Sequence, residues 1–415
     1  MNKSLKILII AQHYFPEEVS GAVLATELAE DLTTIGCTVS FVTCAPNYPF
    51  GKVYDGYRNR ILGKKTFHGI TIYRVWSFIT TRKDNLARVI NWATFSLGAL
   101  WGGLAAGRQD VVFSYSPPLP LGLTAWVLAR LFGARWILRV EDLYPDAAVA
   151  AGALRSKFLI GILSHFEKFL YHRADHISLI SEGFRQNLLR KGIPADKISV
   201  LPVWVNADQI FPMEKENEFR RKNDLIGKFV ILYAGNLGQT SALEDVIEAA
   251  TQLNGDEKIF FVFVGEGTRK EQLMQIAHDR HLKNVIFLPF QPRQKLAEMM
   301  AAADIGLVTL NSSSSPYSLP YKTFNIMASG RPILAIVTKG SEINELIIKS
   351  ECGTCVEPGD TQGLIINIMD LYKNEELRDR MGSAARFYLE NLYTKKIVLA
   401  NYFQMMCEVF INGKI

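Results

Sequence analysis

KFVILYAG (228–235) is an apolar run of strand length that ends in glycine, passes through NLGQ and leads into a helical pattern from Ser241 to Gln252. The cycle then repeats. IFFVFVGEG, NVIFLPF, DIGLVTL and PILAIV each read as a strand, separated by helical patterns over 269–279, 295–302 and 320–329. Such alternation predicts a doubly wound parallel sheet. An earlier cycle precedes it, with KILIIAQ, a helical pattern over 21–34, then CTVSFVTC, GITIYRVWSF, DVVFSYS, RWILRVEDL and DHISLIS. The Pro-punctuated and then charged stretch VLPVWVNADQIFPMEKENEFRRKN separates the two cycles, as domain boundaries do. The expected architecture is therefore α/β, with two Rossmann-like domains, 1–205 and 206–384, facing across a cleft. The helical segment 385–415 is expected to pack back on the first domain. Ligands in such sheets bind beyond the carboxyl ends of the strands, so function is expected in the loops that follow them.

The 415 residues are enough for two large domains. With 48% hydrophobic and 21% charged residues and no low-complexity tract, the whole chain should fold. A net charge of +5 is mild, and no nucleic-acid-binding motif accompanies it. The apolar run Ile7–Ala11 is too short for a signal peptide and reads as a buried strand. The expected location is the cytoplasm, where the five cysteines would be thiols; CGTC (352–355) has no second pair and reads as structural. Arg74, Arg82, Lys83 and Arg88 precede VINWATFSLGALWGGLAAG (89–107), the most apolar run of the chain. With Trp92 and Trp101 it suits the anionic face of a membrane, and equally a helix packed within the first domain. Asn91 and four glycines argue against a span.

Three strand-end loops carry candidate chemistry. Gly235, Asn236 and Gly238 lead into one helix, and Gly265, Glu266 and Gly267 lead into another that bears Arg269 and Lys270. Small residues there allow backbone N–H groups to approach a diphosphate at a helix start. SLPYKTFNIMASGRPILA (318–335) predicts a short helix from Pro320 to Ser329, with Phe324, Met327 and Ala328 on a core face. Lys322, Asn325 and Ser329 fall on the opposite face. There Lys322 suits a phosphate oxygen and Asn325 a sugar hydroxyl, although an ordinary solvated helix face has the same pattern. In the first half, RVEDLYPD sets Arg139, Glu141, Asp142 and Asp146 at a strand end, where a carboxylate can orient an acceptor hydroxyl or Asp146 can cap a helix. HYFPEEVSGAV adds His13, Glu17, Glu18, Ser20 and Gly21; His13 fits a structural or a catalytic role.

Together with YFPEEVSGA, APNYPFGKVYDGY, SPPLPLGLTAWVLARLFGARWILRVEDLYPD and LISEGFRQNLLRKG, the segments LYAGNLGQTSALEDVIEAA, FVGEGTRKEQL and YKTFNIMASGRPILA make the chain resemble retaining glycosyltransferases of family 4 with the GT-B fold. The nearest likeness is to bacterial enzymes of O-antigen, capsule or colanic-acid synthesis. The resemblance implies that Ser20 and Gly21 lie beside the donor diphosphate and that 235–238 and 265–267 are donor loops. The family's paired glutamates fall at Tyr317 and Asn325, so neither carboxylate is present. Its basic pair falls at Gln239 and Thr240, which shifts phosphate neutralisation to Lys322 and Arg269. Its histidine falls at Glu141, followed by Asp142.

The activity implied is transfer of a sugar, with retention, from a nucleotide-diphosphate donor, expected to be a UDP-sugar. The implied acceptor is a polyprenyl-diphosphate-linked sugar at the inner-membrane surface. Neither a metal nor another cofactor is expected. Lys322 would stabilise the departing diphosphate, with Glu141 and Asp142 on the acceptor side. Two other activities fit the same architecture: a nucleotide-sugar epimerase, and a catalytically silent nucleotide-binding partner protein.

Overall fold

The computed structural model describes residues 4–412 except 83, 151, 316 and 317. Two compact units divide the chain: Met1–Pro202 together with Val398–Ile415, and Val203–Ile397. In the first unit the strands are β1 (Lys6–Ile10), β2 (Thr38–Cys44), β3 (Leu62–Phe67), β4 (Ile70–Val75), β5 (Val111–Ser116), β6 (Arg135–Val140), β7 (His176–Leu179) and β8 (Ile198–Val200). They form one sheet in the order β3-β4-β2-β1-β5-β6-β7-β8, parallel except for the β3–β4 pair. Its helices are α1 (Ser20–Thr34), α2 (Asn85–Ala106), α3 (Leu119–Phe132), α4 (Asp146–Ala150), α5 (Lys157–Arg173) and α6 (Glu182–Arg190). Every residue of β5 is buried, as in a central strand covered on both faces. The hairpin strand β3 carries no apolar alternation, and its exposed Lys64 and Lys65 protect the sheet edge.

The second unit begins with α7 (Glu218–Lys222). Its strands are β9 (Phe229–Ala234), β10 (Ile259–Val264), β11 (Val285–Leu288), β12 (Ile305–Thr309), β13 (Ile333–Ile336) and β14 (Gly353–Val356). All neighbours are parallel, in the order β11-β10-β9-β12-β13-β14. The strand order reverses between β9 and β12, where ligands of such sheets bind. Helices α8 (Leu243–Gln252), α9 (Lys270–Asp279), α10 (Leu296–Ala301), α11 (Lys322–Ala328), α12 (Glu342–Ser350), α13 (Thr361–Lys373) and α14 (Glu375–Leu392) complete it. The helical segment expected over 385–415 is divided: α14 belongs to the second unit, and α15 (Lys395–Asn412) joins the first from Val398 onward. Arg386 accounts for the difference, since its guanidinium donates to the carbonyls of Ile210 (2.9 Å) and Ala328 (2.7 Å), both in the second unit.

Helix α2 packs one face within the first unit and leaves apolar side chains exposed on the other. Phe95, Ser96, Ala99, Gly102 and Gly103 face inward. A Cβ on Gly102 would lie 2.9 Å from Val42, so the glycine lets the helix approach the sheet closely. Asn91 also faces inward, accepting from Gln12 (2.5 Å) and donating to the Phe78 carbonyl (2.7 Å). On the other side Leu86, Ile90, Leu97, Trp101 and Leu104 form an exposed apolar stripe at helical spacing. By length and composition, α2 is the one helix among the described residues that could cross a membrane. Cys352 and Cys355 are free thiols whose pKa values burial pushes up.

Candidate active site

At the reversal point of the second sheet, β9 is followed by Gly235, whose φ of 147° suits glycine alone. Lys322 opens α11 and comes back over this turn. Its ammonium stands 3.6 Å from the centroid of the Tyr233 ring, and Nζ is 2.9 Å from where a Cβ on Gly235 would sit. The ring face offsets part of the cost of holding a cation there. Among the described residues the amine has no hydrogen bond and no acidic partner. Burial pushes its pKa down to about 7 from an ordinary value of 10.5. A part-buried, unpaired amine at a strand end is poised to gain a counter-anion.

The helix is more deeply packed than its sequence pattern predicts. Asn325 and Ser329 do not lie on a solvated face: Asn325 is 8% exposed, and Ser329 Oγ donates to the Ile326 carbonyl at 2.8 Å. Strands β12 and β13 and helix α14 all pack against α11, so a seven-residue helix has little side left for solvent. Among the described residues, Asn325 Oδ1 has no hydrogen-bond partner. A buried oxygen without a donor is uncommon, and a ligand hydroxyl would satisfy it. Tyr317 lies outside the described residues.

The two glycine loops interlock. Gly235 N–H donates to Val264 (2.9 Å), Leu237 N–H to Glu266 (2.9 Å) and Arg269 N–H to Leu237 (2.9 Å), in each case to a carbonyl. A Cβ on Gly267 would lie 2.3 Å from the Leu237 carbonyl oxygen, and Gly238 packs on the side chain of Asn236. Loop packing alone therefore explains the glycine at 267.

Arg269 departs from its expected role, because its guanidinium is bound by Glu244 and Gln272 and is not free for a phosphate. Glu266 pairs with Lys270 at 2.7 Å. The start of α8 is not a bare anion site either, since Glu244 and Asp245 occupy its first turn. Of the two cations expected at a phosphate, Arg269 is thus paired with an acid, and Lys322 has no acidic partner among the described residues. Asn311 donates to the Gln239 carbonyl (2.7 Å) and accepts nothing from that loop, while its own N–H donates to Thr240 (2.9 Å). Two features escaped the sequence reading: Tyr233 beneath the amine and Asn311 tethering the loop. Neither has a local signal, since each acts on residues far along the chain.

In the first unit, Glu141 follows β6, with Oε2 3.7 Å from where a Cβ on Gly21 would sit. Burial pushes its pKa up to about 7; Arg139 opposes this and Asp142 adds to it. Such a carboxyl can hold or release a proton near neutrality. Asp142 is exposed as a residue, and desolvation of its carboxyl pushes the pKa up to about 6. Ser20 and Gly21 form the first turn of α1, which has no side-chain cap and no acid. Arg139 is structural, buried and donating to Ser178 (3.1 Å) and to the carbonyls of Leu179 (3.0 Å) and Leu201 (2.6 Å). Asp146 pairs with Lys191 at 2.9 Å.

The 3.7 Å at Gly21 is ordinary contact distance, so the ligand-free fold has room for alanine there. Gly21→Ala should leave the melting temperature unchanged or raise it slightly, alanine being favoured in helices by up to about 1 kcal/mol. If a ligand backs onto this turn, donor KM should nevertheless rise. Equal donor KM in the two proteins would assign the glycine to helix geometry alone.

Residues 21–204 match the glycosyl transferase 4-like domain and residues 214–387 match the glycosyl transferases group 1. WcaI of Escherichia coli K12, a candidate colanic acid biosynthesis glycosyl transferase, is 28% identical over 96% of this chain and 98% of its own. Sucrose-phosphate synthase from Thermosynechococcus elongatus superposes with a TM-score of 0.79 at 17% identity, covering 98% of this chain and 100% of that one. Anabaena HepE, solved with UDP, gives 0.73 at 14% identity, covering 97% and 100%. The fold is GT-B, and the chain belongs to the family 4 type of glycosyltransferases.

Proposed function

We propose that this glycosyltransferase moves a sugar, with retention, from a UDP-sugar to a lipid-linked saccharide in bacterial surface polysaccharide synthesis. The observation that carries the reading is the Lys322 amine seated against Gly235 with no acidic partner among the described residues. A diphosphate placed there would gain a cation that needs no rearrangement, the preorganised charge that favours departure of a leaving group. Asn325 Oδ1 would accept from a sugar hydroxyl, in place of the glutamate of relatives. On the acceptor side Glu141 would orient the attacking hydroxyl. The acceptor proton would pass to the departing phosphate, so no protein base is required. Support for UDP comes from the HepE complex, and support for the pathway from the name of WcaI.

The lipid acceptor fits the exposed stripe of α2. Trp101 is 66% exposed, and Phe158 at the start of α5 is 75% exposed. Asn85 reaches the Ala153 carbonyl (3.5 Å), linking the start of α2 to the segment before α5. No Asp or Glu occurs in 85–109 or 147–166, whereas Arg88, Arg108, Arg155 and Lys157 do. An apolar face with a basic rim suits an anionic lipid surface. Replacing Leu97, Trp101 and Phe158 together with serine should weaken binding to phosphatidylglycerol vesicles by roughly tenfold or more, given the apolar area removed. Unaltered co-sedimentation would remove the membrane from this reading.

Nucleotide release from a panel of UDP-, GDP- and dTDP-sugars, with and without a membrane lipid extract, tests the activity. Release that depends on the extract is expected. The absence of both glutamates favours one rival specifically, a silent nucleotide-binding protein. It would bind a nucleotide sugar and release nothing.

A further inference from the structure

Glu17, 3% exposed, lies in the loop after β1 and is fully engaged. It accepts from the backbone N–H groups of Asn47 (2.8 Å), Tyr48 (2.8 Å) and Tyr14 (3.3 Å), and lies 3.0 Å from His13 Nδ1. Despite burial, these donors hold its carboxyl below the usual range. A buried carboxylate is costly unless donors surround it, and here it ties the loop after β1 to the loop after β2.

The result is an ordered pair of accessible side chains at the carboxyl edge of the sheet. The rings of His13 and Tyr48 lie 5.3 Å apart and inclined at 60°. Tyr48 is 48% exposed, and the His13 side chain is 31% exposed. With Nδ1–H donated to Glu17, the imidazole presents Nε2 as an acceptor. Among the described residues neither Nε2 nor the Tyr48 hydroxyl has a partner. Core packing does not explain two half-exposed rings held by one buried charge.

We infer that His13 and Tyr48 form a subsite for the sugar ring of the acceptor, Tyr48 lying against its apolar face and His13 Nε2 accepting from one of its hydroxyls. Glu17 is the positioning residue for both. This rests on the glycosyltransferase reading above and adds which residues of the first unit take the acceptor.

The test has two arms. In the first, nucleotide release is followed with the membrane lipid extract as acceptor. Tyr48→Ala and His13→Ala should each raise the acceptor KM roughly tenfold, the scale of one lost ring contact or hydrogen bond, and leave the donor KM unchanged. Tyr48→Phe, which keeps the ring, should stay near the wild-type value. Glu17→Gln should raise the acceptor KM as the alanine variants do, again without moving the donor KM. In the second arm, saturation-transfer NMR uses methyl glycosides of glucose, galactose and N-acetylglucosamine. Ring-proton signals should appear with the wild type and with Tyr48→Phe and vanish with Tyr48→Ala.

A donor KM that moves in place of the acceptor KM overturns the inference. So do equal NMR signals in all variants, or none with the wild type. Failure of the wild type to release nucleotide from any donor would instead reject the glycosyltransferase activity, while the NMR arm still decides the subsite.

Discussion

Lys322→Met is expected to lower kcat by roughly 10²- to 10³-fold, the usual consequence of removing one preorganised stabiliser of a developing anion. The same substitution should make the ligand-free protein more stable at pH 7. Its amine is pushed down to about 7 by burial. The unfolded chain therefore holds the lysine proton up to about pH 10.5, while the folded chain lets it go near 7. Below pH 7 the whole cost of burying the cation is present, and stability rises with pH between those two values. The Tyr233 ring returns part of the cost, so the gain from methionine should be roughly 1–3 kcal/mol at pH 7. In a unit of this size that is about 2–4 °C in melting temperature per kcal/mol.

Ligand affinity should follow the same proton with the opposite dependence. UDP needs the charged amine, so its Kd should rise above pH 7 by up to about tenfold per unit, and this rise should disappear in the methionine variant. Calorimetric titration between pH 6 and 9 measures it. Unchanged kcat in Lys322→Met, with any donor that the wild type uses, would remove the lysine from the mechanism.

Gly265→Ala is expected to have the largest effect on the fold of the donor loops. The φ of Gly265 is 149°, and a Cβ there would lie 1.9 Å from the carbonyl oxygen of Gly235. That obstacle is backbone, held in turn by the Gly235–Val264 and Leu237–Glu266 hydrogen bonds. Relief would require separating the two loops that carry the turn beneath Lys322. The cost should be about 3 kcal/mol or more, combining backbone strain with lost packing. Hydrogen exchange in β9 and β10 should accelerate, and UDP binding should weaken with it. Gly255→Ala is the control, since nothing lies within 4 Å of its added Cβ. Equal protection in the two variants would show that the loops can part without cost.

Much of the architecture was legible because its cause is local. The central strands are buried on both faces and so read as unbroken apolar runs, and the helices between them repeat at helical period. β3 was missed because it is an exposed edge, with lysines where alternation would have marked a strand. The alternative of an ordinary solvated face for α11 failed for a different reason. Its period is correct, but β12, β13 and α14 enclose it from several sides, and periodicity carries no information about how many neighbours a helix has. Arg269 illustrates the same limit: it looked free for a phosphate, and its partner Glu244 lies 25 residues away on another helix.

By itself, the order of residues determined two parallel α/β sheets and the strand-end loops in which chemistry would lie, because strand and helix period, glycine turns and charged linkers are all written within a few neighbouring positions. Tertiary structure alone decided which of those loops hold an available group. Lys322 rests on Tyr233 with no acidic partner among the described residues, whereas Arg269 is claimed by an acid, and Glu17 is spent on ordering His13 and Tyr48. The difference is physical. The charge state and availability of a side chain depend on desolvation and on partners brought in from distant segments, and those are set only when the sheet assembles.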